Sequence, residues 1–533
     1  MIWIVPGLLV ARVAVGPWVL VAVAVALCVP RIRWWAQDRI WIDWRRAGIA
    51  VAVLATLTGL VVLIPDGWLP IPQSPGLMMT PSYVGRPASA RPVPIASVPQ
   101  NPHSARNGAS SMHNDASASD TYEWAGPTGL EPEVDTAWFG VEECATLAFD
   151  SHDRLIALCG DPAGPTMHVI DPDSMRKLAT KDLPDRAESD KPAWEDLCGG
   201  AYFYLDPADR AVVATTDRRI MAIRTSDADG EPDLTTDKTW DLTDAVPKDD
   251  CLIALLPDWS GRIWFETRDG LVGTIAPDSG EVRTLDLGEE IANSFATDEN
   301  DGIYVVTTHA LHRLSAGPGG APVVDWRTEY DRGGEKKRGQ LSRGSGTTPT
   351  IINGGIVAIT DNAEPQMNVA FYERSSGREI CKAPVFEDDA SATDNSLISV
   401  GDGVIVENNA GYGSPLSTLL GRATSPGFAR VDVAGGDCKV VWTSDEIAPS
   451  SVAKVSLATG LAYAWTKKPN WWGVSAWYLT AIDVTTGRTV FSVRAGTGVL
   501  MNNHYAALTI APDGAARIAT LAGPVRVRDR VRG

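Results

Sequence analysis

From about residue 140 onward this chain repeats one phrase, and that repetition leaves it few folds to choose from. A short apolar strand is followed by a tight turn containing Asp or Gly, a second apolar strand, a polar loop and a third strand, often with Asp-x-x-x-Gly before a fourth. The second strand aligns best. It is expected to begin at Leu155, Val212, Ile263, Ile303, Ile356, Val404, Leu461 and Ile518, after turns such as Asp150-Ser-His-Asp153, Asp258-Trp-Ser-Gly261, Asp301-Gly302, Asn353-Gly354, Asp402-Gly403 and Asp513-Gly514. Starts 40 to 57 residues apart suit four-stranded propeller blades and not a solenoid with one helix per repeat. Apolar runs of strand length bounded by Asp, Gly and Pro point the same way, and helix-period stretches are nearly absent. The fold class that follows is all-β: an eight-bladed β-propeller, or a seven-bladed one if one irregular unit is not a blade. After the last third strand, Pro524-Val-Arg-Val-Arg528, five residues remain, too few for an outer strand. An open ring would expose sheet edges, so the segment near Val134-Asp-Thr-Ala-Trp-Phe139 is expected to supply the missing strand.

The N-terminal part has a different character. Val13 to Pro30 and Gly48 to Pro65 are uncharged runs of 18 residues each, close to the minimum of about 17 needed to cross hydrocarbon as a helix. Both are expected to be transmembrane. The loop between them, Arg31 to Arg46, carries five arginines together with Trp34, Trp35, Trp41 and Trp44, which places it on the cytoplasmic side and everything after Pro65 outside. A cleaved export signal is the competing reading, but no Ala-x-Ala-like site follows Pro65. Arg12 leaves the start of the first span open. Residues 66–120, rich in Pro, Ser, Ala and Asn, are expected to be a disordered tether because they offer little apolar surface to bury. The expected domains are therefore a 1–65 anchor, a 66–120 linker and a 121–533 propeller in a bacterial cell membrane, with the propeller on the extracytoplasmic side.

Charge narrows the partners. The formal net charge is −19, and residues 1–65 hold six arginines against Asp38 and Asp43, so the remainder carries −23. Such a field repels phosphate backbones and excludes nucleic acid as a partner. The basic cluster Arg332, Lys336, Lys337, Arg338 and Arg343 lacks interleaved aromatics and is expected to be a solvated loop.

Cys28 lies in a span, and six further cysteines lie in the propeller, an even number suited to disulfides outside the cytoplasm. A hairpin register with Asp150 opposite Asp153 also places Cys144 opposite Cys159, within reach of a disulfide. Cys198 and Cys251 occupy matching positions at the starts of neighbouring innermost strands and form a second expected pair. Cys381 and Cys438 follow two outer turns, where blades splay, and their pairing stays open. No Cys-x-x-Cys occurs, so zinc and thioredoxin-like readings fall away.

The turn between third and fourth strands carries a family resemblance. Ala481-Ile-Asp-Val-Thr-Thr-Gly-Arg-Thr-Val490 resembles the repeat of quinoprotein-type (PQQ-repeat) propellers, with weaker copies at Thr274-Ile-Ala-Pro-Asp-Ser-Gly280, Phe371-Tyr-Glu-Arg-Ser-Ser-Gly377 and Val169-Ile-Asp-Pro-Asp-Ser174. The Gly permits a positive φ and the Asp caps free turn amides. The resemblance spans roughly 140–528 as fold. The family's tryptophan-bearing repeats are degenerate here and its adjacent cysteine pair is missing, so PQQ is not the expected cofactor.

In a propeller, innermost strands begin on the face where second strands end, and polar residues gather at that mouth: Asn293, His309, Asn409, Asn503 and His504 among them. The densest cluster, Asp361, Asn362, Asn395, Glu407 and Asn408, offers the oxygen ligands a hard cation such as Ca²⁺ requires, and the resemblance implies an ion at such a mouth. The alternative is that these side chains satisfy loop backbones. Trp471-Trp472 is expected to pack or meet a partner more readily than to cover a cofactor. No His-Glu-x-x-His, Gly-x-Ser-x-Gly or P-loop pattern occurs. Asp227-Ala-Asp-Gly230 lacks the later glutamate of a calcium loop and is expected to be an outer turn. Two functions follow: a binding or scaffolding propeller of the cell envelope for a protein or glycan, or a Ca²⁺-dependent enzyme, either a lactonase- or esterase-like hydrolase or a quinone-dependent dehydrogenase.

Overall fold

The computed structural model describes residues 8, 11, 18–39, 44–70, 79–95, 97–161, 163–186, 196, 198, 202–352 and 355–530. Arg12, most of the apolar run before Trp18 and the turn Asn353-Gly354 lie outside them. Eight sheets form eight blades, so the seven-bladed alternative falls. All eight expected second-strand starts fall inside second strands, from Leu155–Gly160 in the first blade to Ala516–Thr520 in the eighth. Inner strands such as Leu252–Pro257 are buried throughout, whereas outer ones such as Lys177–Asp182 alternate between half-buried and exposed, as expected when only the inner strands have protein on both faces.

Ring closure follows the expectation. Pro132–Thr136 pairs antiparallel with Gly523–Asp529, with Val134 opposite Val527, so that the early strand completes the last blade. Neighbouring blades are joined by a recurring side-chain dock. Trp240, Trp326 and Trp442 lie on outer strands and donate their indole N–H to Pro277 O (3.2 Å), Arg374 O (2.9 Å) and Val484 O (2.9 Å) in the third-to-fourth-strand turn of the next blade. This explains the glycine of that turn. Gly487 has φ +70°, and a Cβ there would stand 2.5 Å from the Trp442 ring. Asp483 Oδ1 meanwhile accepts from the Thr485 and Thr486 amides at 3.0 and 2.9 Å.

Three disulfides form. Cys144–Cys159 joins the first two strands of blade one, Cys198–Cys251 joins blades two and three, and Cys381–Cys438 (Cα–Cα 5.6 Å) ties the outer strands of blades five and six. The Cys144–Cys159 register is the expected one, but a bulge after Cys144 shifts the rest of the hairpin by one residue.

At the N-terminus the helices are Trp18–Cys28, Pro30–Arg39 and Trp44–Val62. No single helix among the described residues is long and apolar enough to cross a membrane; Trp18–Cys28 with Pro30–Asp38 meets that test only as a pair bent by 99°.

The expected disordered tether needs correction. Within 66–120, Tyr83–Gly85 adds an outermost strand to blade seven, and the Arg91 and Val93 amides bond Thr459 O (2.9 Å) and Leu457 O (2.8 Å) beneath it. The chain then enters the central channel from the face opposite the mouth, where Asn101, Asn114, Ser119 and Asp120 are fully buried. Small polar residues are what a narrow, polar channel accepts, and composition alone does not distinguish that role from disorder.

Removing the indole in Trp442→Ala is expected to cost about 3–5 kcal/mol in urea unfolding, and Gly487→Ala at least about 1–2 kcal/mol from the left-handed backbone. Unchanged midpoints would contradict the docking role.

Candidate functional site

The innermost strand of each blade turns one backbone edge toward the axis, and its N–H and C=O groups need partners there. Residues 109–122 supply them. The amides of Phe149, Leu205, Thr297, Ile351, Ser399 and Val455, from blades one, two, four, five, six and seven, donate to the carbonyls of Ala109, Ser110, Ala116, Ser117, Ser119 and Asp120 at 2.7 to 3.0 Å. Blade three presents Pro257, which has no N–H, and its carbonyl accepts instead from Asn101 Nδ2 at 2.9 Å. Blade eight is reached by Trp124 Nε1, 2.8 Å from Ile510 O.

Inside this plug lies a buried charged network that sequence reasoning missed. Asp120 pairs with Lys454, both side chains fully buried, and Lys454 Nζ also donates to Met112 O at 2.7 Å. His113 Nδ1 lies 3.3 Å from Asp120 Oδ1, and its Nε2 lies 3.3 Å from Thr348 Oγ1. Burial alone would raise the Asp120 carboxyl, but Lys454 and His113 outweigh it and hold the group below its ordinary value. Asp115, which accepts from the Ser117 and Ser119 amides, is pushed by burial up to about 7. Nothing in the local composition of His113-Asn-Asp-Ala-Ser-Ala-Ser-Asp120 marks it as interior; the signal was the excess of small side chains beside an unpaired ring of inner edges.

At the mouth the expected residues separate into two groups. Asp361 Oδ1 accepts from the Asn368 and Ala363 amides at 2.6 and 3.2 Å. Asn408 Oδ1 accepts from the Ala392 and Ala410 amides at 3.2 and 3.0 Å, and Asn362 Nδ2 donates to Arg332 O and Glu335 O at 3.0 and 3.1 Å. Asn409 binds Thr393 Oγ1 at 2.9 Å, and Asn503 Nδ2 bonds Ala506 O at 3.3 Å. These side chains tie loops together, as the backbone reading expected. His309 lies between Thr308 Oγ1 and Arg332, and His504 Nδ1 bonds the Tyr412 hydroxyl at 2.9 Å. Asn293 joins Tyr202 (2.6 Å) to the Asp394 carbonyl (3.0 Å).

Asn395 and Glu407 are the cluster members the fold brings together. Asn395 Nδ2 donates to Glu407 Oε1 and to Ser451 O, and this leaves Glu407 Oε2 and Asn395 Oδ1 buried without a hydrogen bond. Burial raises Glu407 well above the usual carboxylate range. Two further hub carboxylates behave alike: Glu266, whose two oxygens both lack partners, is raised well above that range, and Asp394 is raised by burial to about 7. Among the described residues, one group of three carboxylate, imidazole or thiol side chains converges, Glu142, Cys159 and His168. It is no metal centre, because Cys159 is in a disulfide while Glu142 is held by His168 (2.7 Å) and Lys177 (2.5 Å).

The basic loop is a cover for the mouth and not a free solvated segment. Lys337 Nζ donates to Ala363 O (2.7 Å), the Leu341 amide to Asp394 Oδ2 (2.7 Å), Gly411 N to Arg338 O (2.9 Å) and the Tyr505 hydroxyl to Gly339 O (3.1 Å). It thus reaches blades five, six and eight across the hub.

No family model matches the chain. An uncharacterized protein of Archaeoglobus fulgidus is 29% identical over 316 residues, 52% of this chain; the match spans 60% of that relative's length. Among solved structures, streptogramin B lyase aligns at TM-score 0.38 with 8% identity, over 76% of this chain and 97% of its own, and a luciferin-regenerating enzyme at TM-score 0.30 with 14% identity, over 52% and 88%.

The charged network sets a pH signature. Asp120 contributes stability above the unfolded carboxylate value of about 3.9, lost as pH falls through its lower folded value. Glu407 and Glu266 act oppositely: their stability is complete below about 4.3 and is lost as pH rises. Lys454→Met is expected to cost about 3–5 kcal/mol by leaving Asp120 buried and unpaired. For Glu407→Gln, the melting temperature relative to the parent is expected to rise from pH 5 to pH 8. A constant difference would contradict a Glu407 carboxyl raised by burial.

Proposed function

We propose that this chain is a membrane-anchored, extracytoplasmic binding or scaffolding module of a bacterial cell envelope, built on a degenerate quinoprotein-like repeat. The observation that carries this reading is the filled and covered hub: residues 109–122 occupy the channel from one side, while 331–346 lie across the mouth over blades five, six and eight. A propeller that fills its own axis offers partners its faces and rim. Placement rests on the two apolar runs, the Arg/Trp loop between them and three disulfides, which suit an oxidising compartment. The partner class is protein or glycan, and the acidic disc argues against nucleic acid. A quinone is the less favoured cofactor because the hub interior is taken up by the chain itself.

One observation favours a second reading, a calcium-dependent enzyme: the adjacent, buried and unpartnered Glu407 Oε2 and Asn395 Oδ1, oxygen donors of the kind calcium takes. Melting the full chain in calcium and in EDTA separates the two. The scaffold reading expects equal melting temperatures, and alanine at Asp361, Asn395 or Glu407 creating no difference between the two conditions. A rise in calcium that Glu407→Gln abolishes would favour the enzyme. A shortened chain beginning at residue 121 is unsuitable, since it lacks the plug.

A further inference from the structure

Beyond residue 65, the large apolar side chains more than half exposed among the described residues are Trp68 (54%), Val141 (61%), Leu416 (61%), Leu420 (59%) and Trp471 (70%). Val141, Leu416, Leu420 and Trp471 lie on the mouth side of the disc, and Trp68 lies at the rim under the Arg176 guanidinium (4.0 Å). Leu416 and Leu420 belong to the mouth-face loop after the second strand of blade six, and Trp471 to the matching loop of blade seven. Val141 is in the mouth-face connection from the ring-closing strand to blade one, and Trp68 lies against that connection, where Gly67 N bonds Trp138 O (2.6 Å) and Trp138 N bonds Leu69 O (2.7 Å).

These side chains are presented, not loose. Asn470 N bonds Gly421 O at 3.3 Å, and Asn502 Nδ2 bonds Thr418 Oγ1 at 3.1 Å, so the Pro415–Gly421 turn is held against its neighbours. Trp472 packs onto the buried cluster of Val474, Ala476 and Tyr478, while Trp471 lies tilted by 36° against it (centroids 3.5 Å) and is exposed. The N-terminal helices meet the propeller on this same face. Trp18, at the start of the first helix, donates Nε1 to Trp471 O at 3.0 Å, and Gly67 and Leu69, just after the last helix, bond Trp138 in the connection that carries Val141.

We infer that the mouth face is a membrane-contacting surface: Trp471, Leu416 and Leu420 enter the headgroup layer of the bilayer that holds the anchor, so the disc lies flat, mouth down. Tryptophan and leucine on rigid loops suit that layer, where an amphipathic ring keeps its N–H wet. The continuity of the patch with the helix ends selects lipid over a soluble protein as its occupant. The inference rests on the anchoring reading and adds an orientation to it. The face left for partners is then the opposite one.

The test uses the full chain in phosphatidylcholine/phosphatidylglycerol vesicles, with Cys28→Ser and a polarity-sensitive dye on Leu416→Cys, on Leu420→Cys or, as an opposite-face control, on Ala228→Cys. Brominated lipid is expected to quench the 416 and 420 dyes about twofold or more and to leave 228 unchanged, with aqueous iodide showing the reverse. Dyes at 416 and 420 that behave like 228, while the protein floats with the vesicles, would overturn the orientation and leave the anchor intact. Shielding of 416 from both quenchers would place a protein there instead and overturn it equally. Failure to float would remove the anchoring reading and this inference with it.

Discussion

A ring of antiparallel sheets leaves one edge of every innermost strand facing the axis, and those unpaired backbone groups are the constraint on which this molecule turns. Residues 109–122 answer it by offering carbonyls in succession to six blades, with Asn101 and Trp124 serving the remaining two. The solution also shapes the sequence on both sides. Pro257 is tolerated on its inner strand because that blade's plug contact needs an acceptor and not a donor, and the plug is built mainly of Ser, Ala, Asn and Asp, with Met112, His113 and Tyr122 the larger side chains buried among them.

Once the axis is filled, the remaining fastenings lie further out. Indoles of Trp240, Trp326 and Trp442 fasten three blade boundaries through the next blade's turn, Cys198–Cys251 fastens the first of these again, Cys381–Cys438 fastens the boundary of blades five and six, and Pro132–Thr136 closes the circle. The fully buried Asp120–Lys454 ion pair anchors the plug to blade seven, and the His113 ring lies beside Asp120. A disc fixed in this way leaves its faces and rim as the surfaces on which the proposed binding role would act.

Much of the architecture was legible because it is written in local periodicity. The eight second strands and the ring-closing segment follow from alternation, turn residues and spacing, whereas Cys144 meets Cys159 because a bulge offsets a turn register one residue away from the expected one. The hairpin bulge was not legible, since it inserts one residue without changing composition. The plug was missed for a deeper reason: a segment that lacks large apolar residues reads as unable to fold, yet here its backbone and small polar groups are satisfied by strands far away in sequence. The Trp docks carried a signal that went unread, an indole 37, 48 or 42 residues before the turn carbonyl it binds. At the mouth, residue type identified polar positions correctly but not their partners, so Asp361 and Asn408 serve loops while Asn395 and Glu407 meet.

Hydrogen exchange on the intact chain tests the filled axis most directly. If residues 109–122 occupy the channel, their peptides exchange as slowly as the inner strands carrying Phe149, Leu205, Thr297, Ile351, Ser399 and Val455, because both open only when the ring opens. Exchange of 109–122 within seconds, at the rate of an unstructured linker, beside protected inner strands would contradict the account.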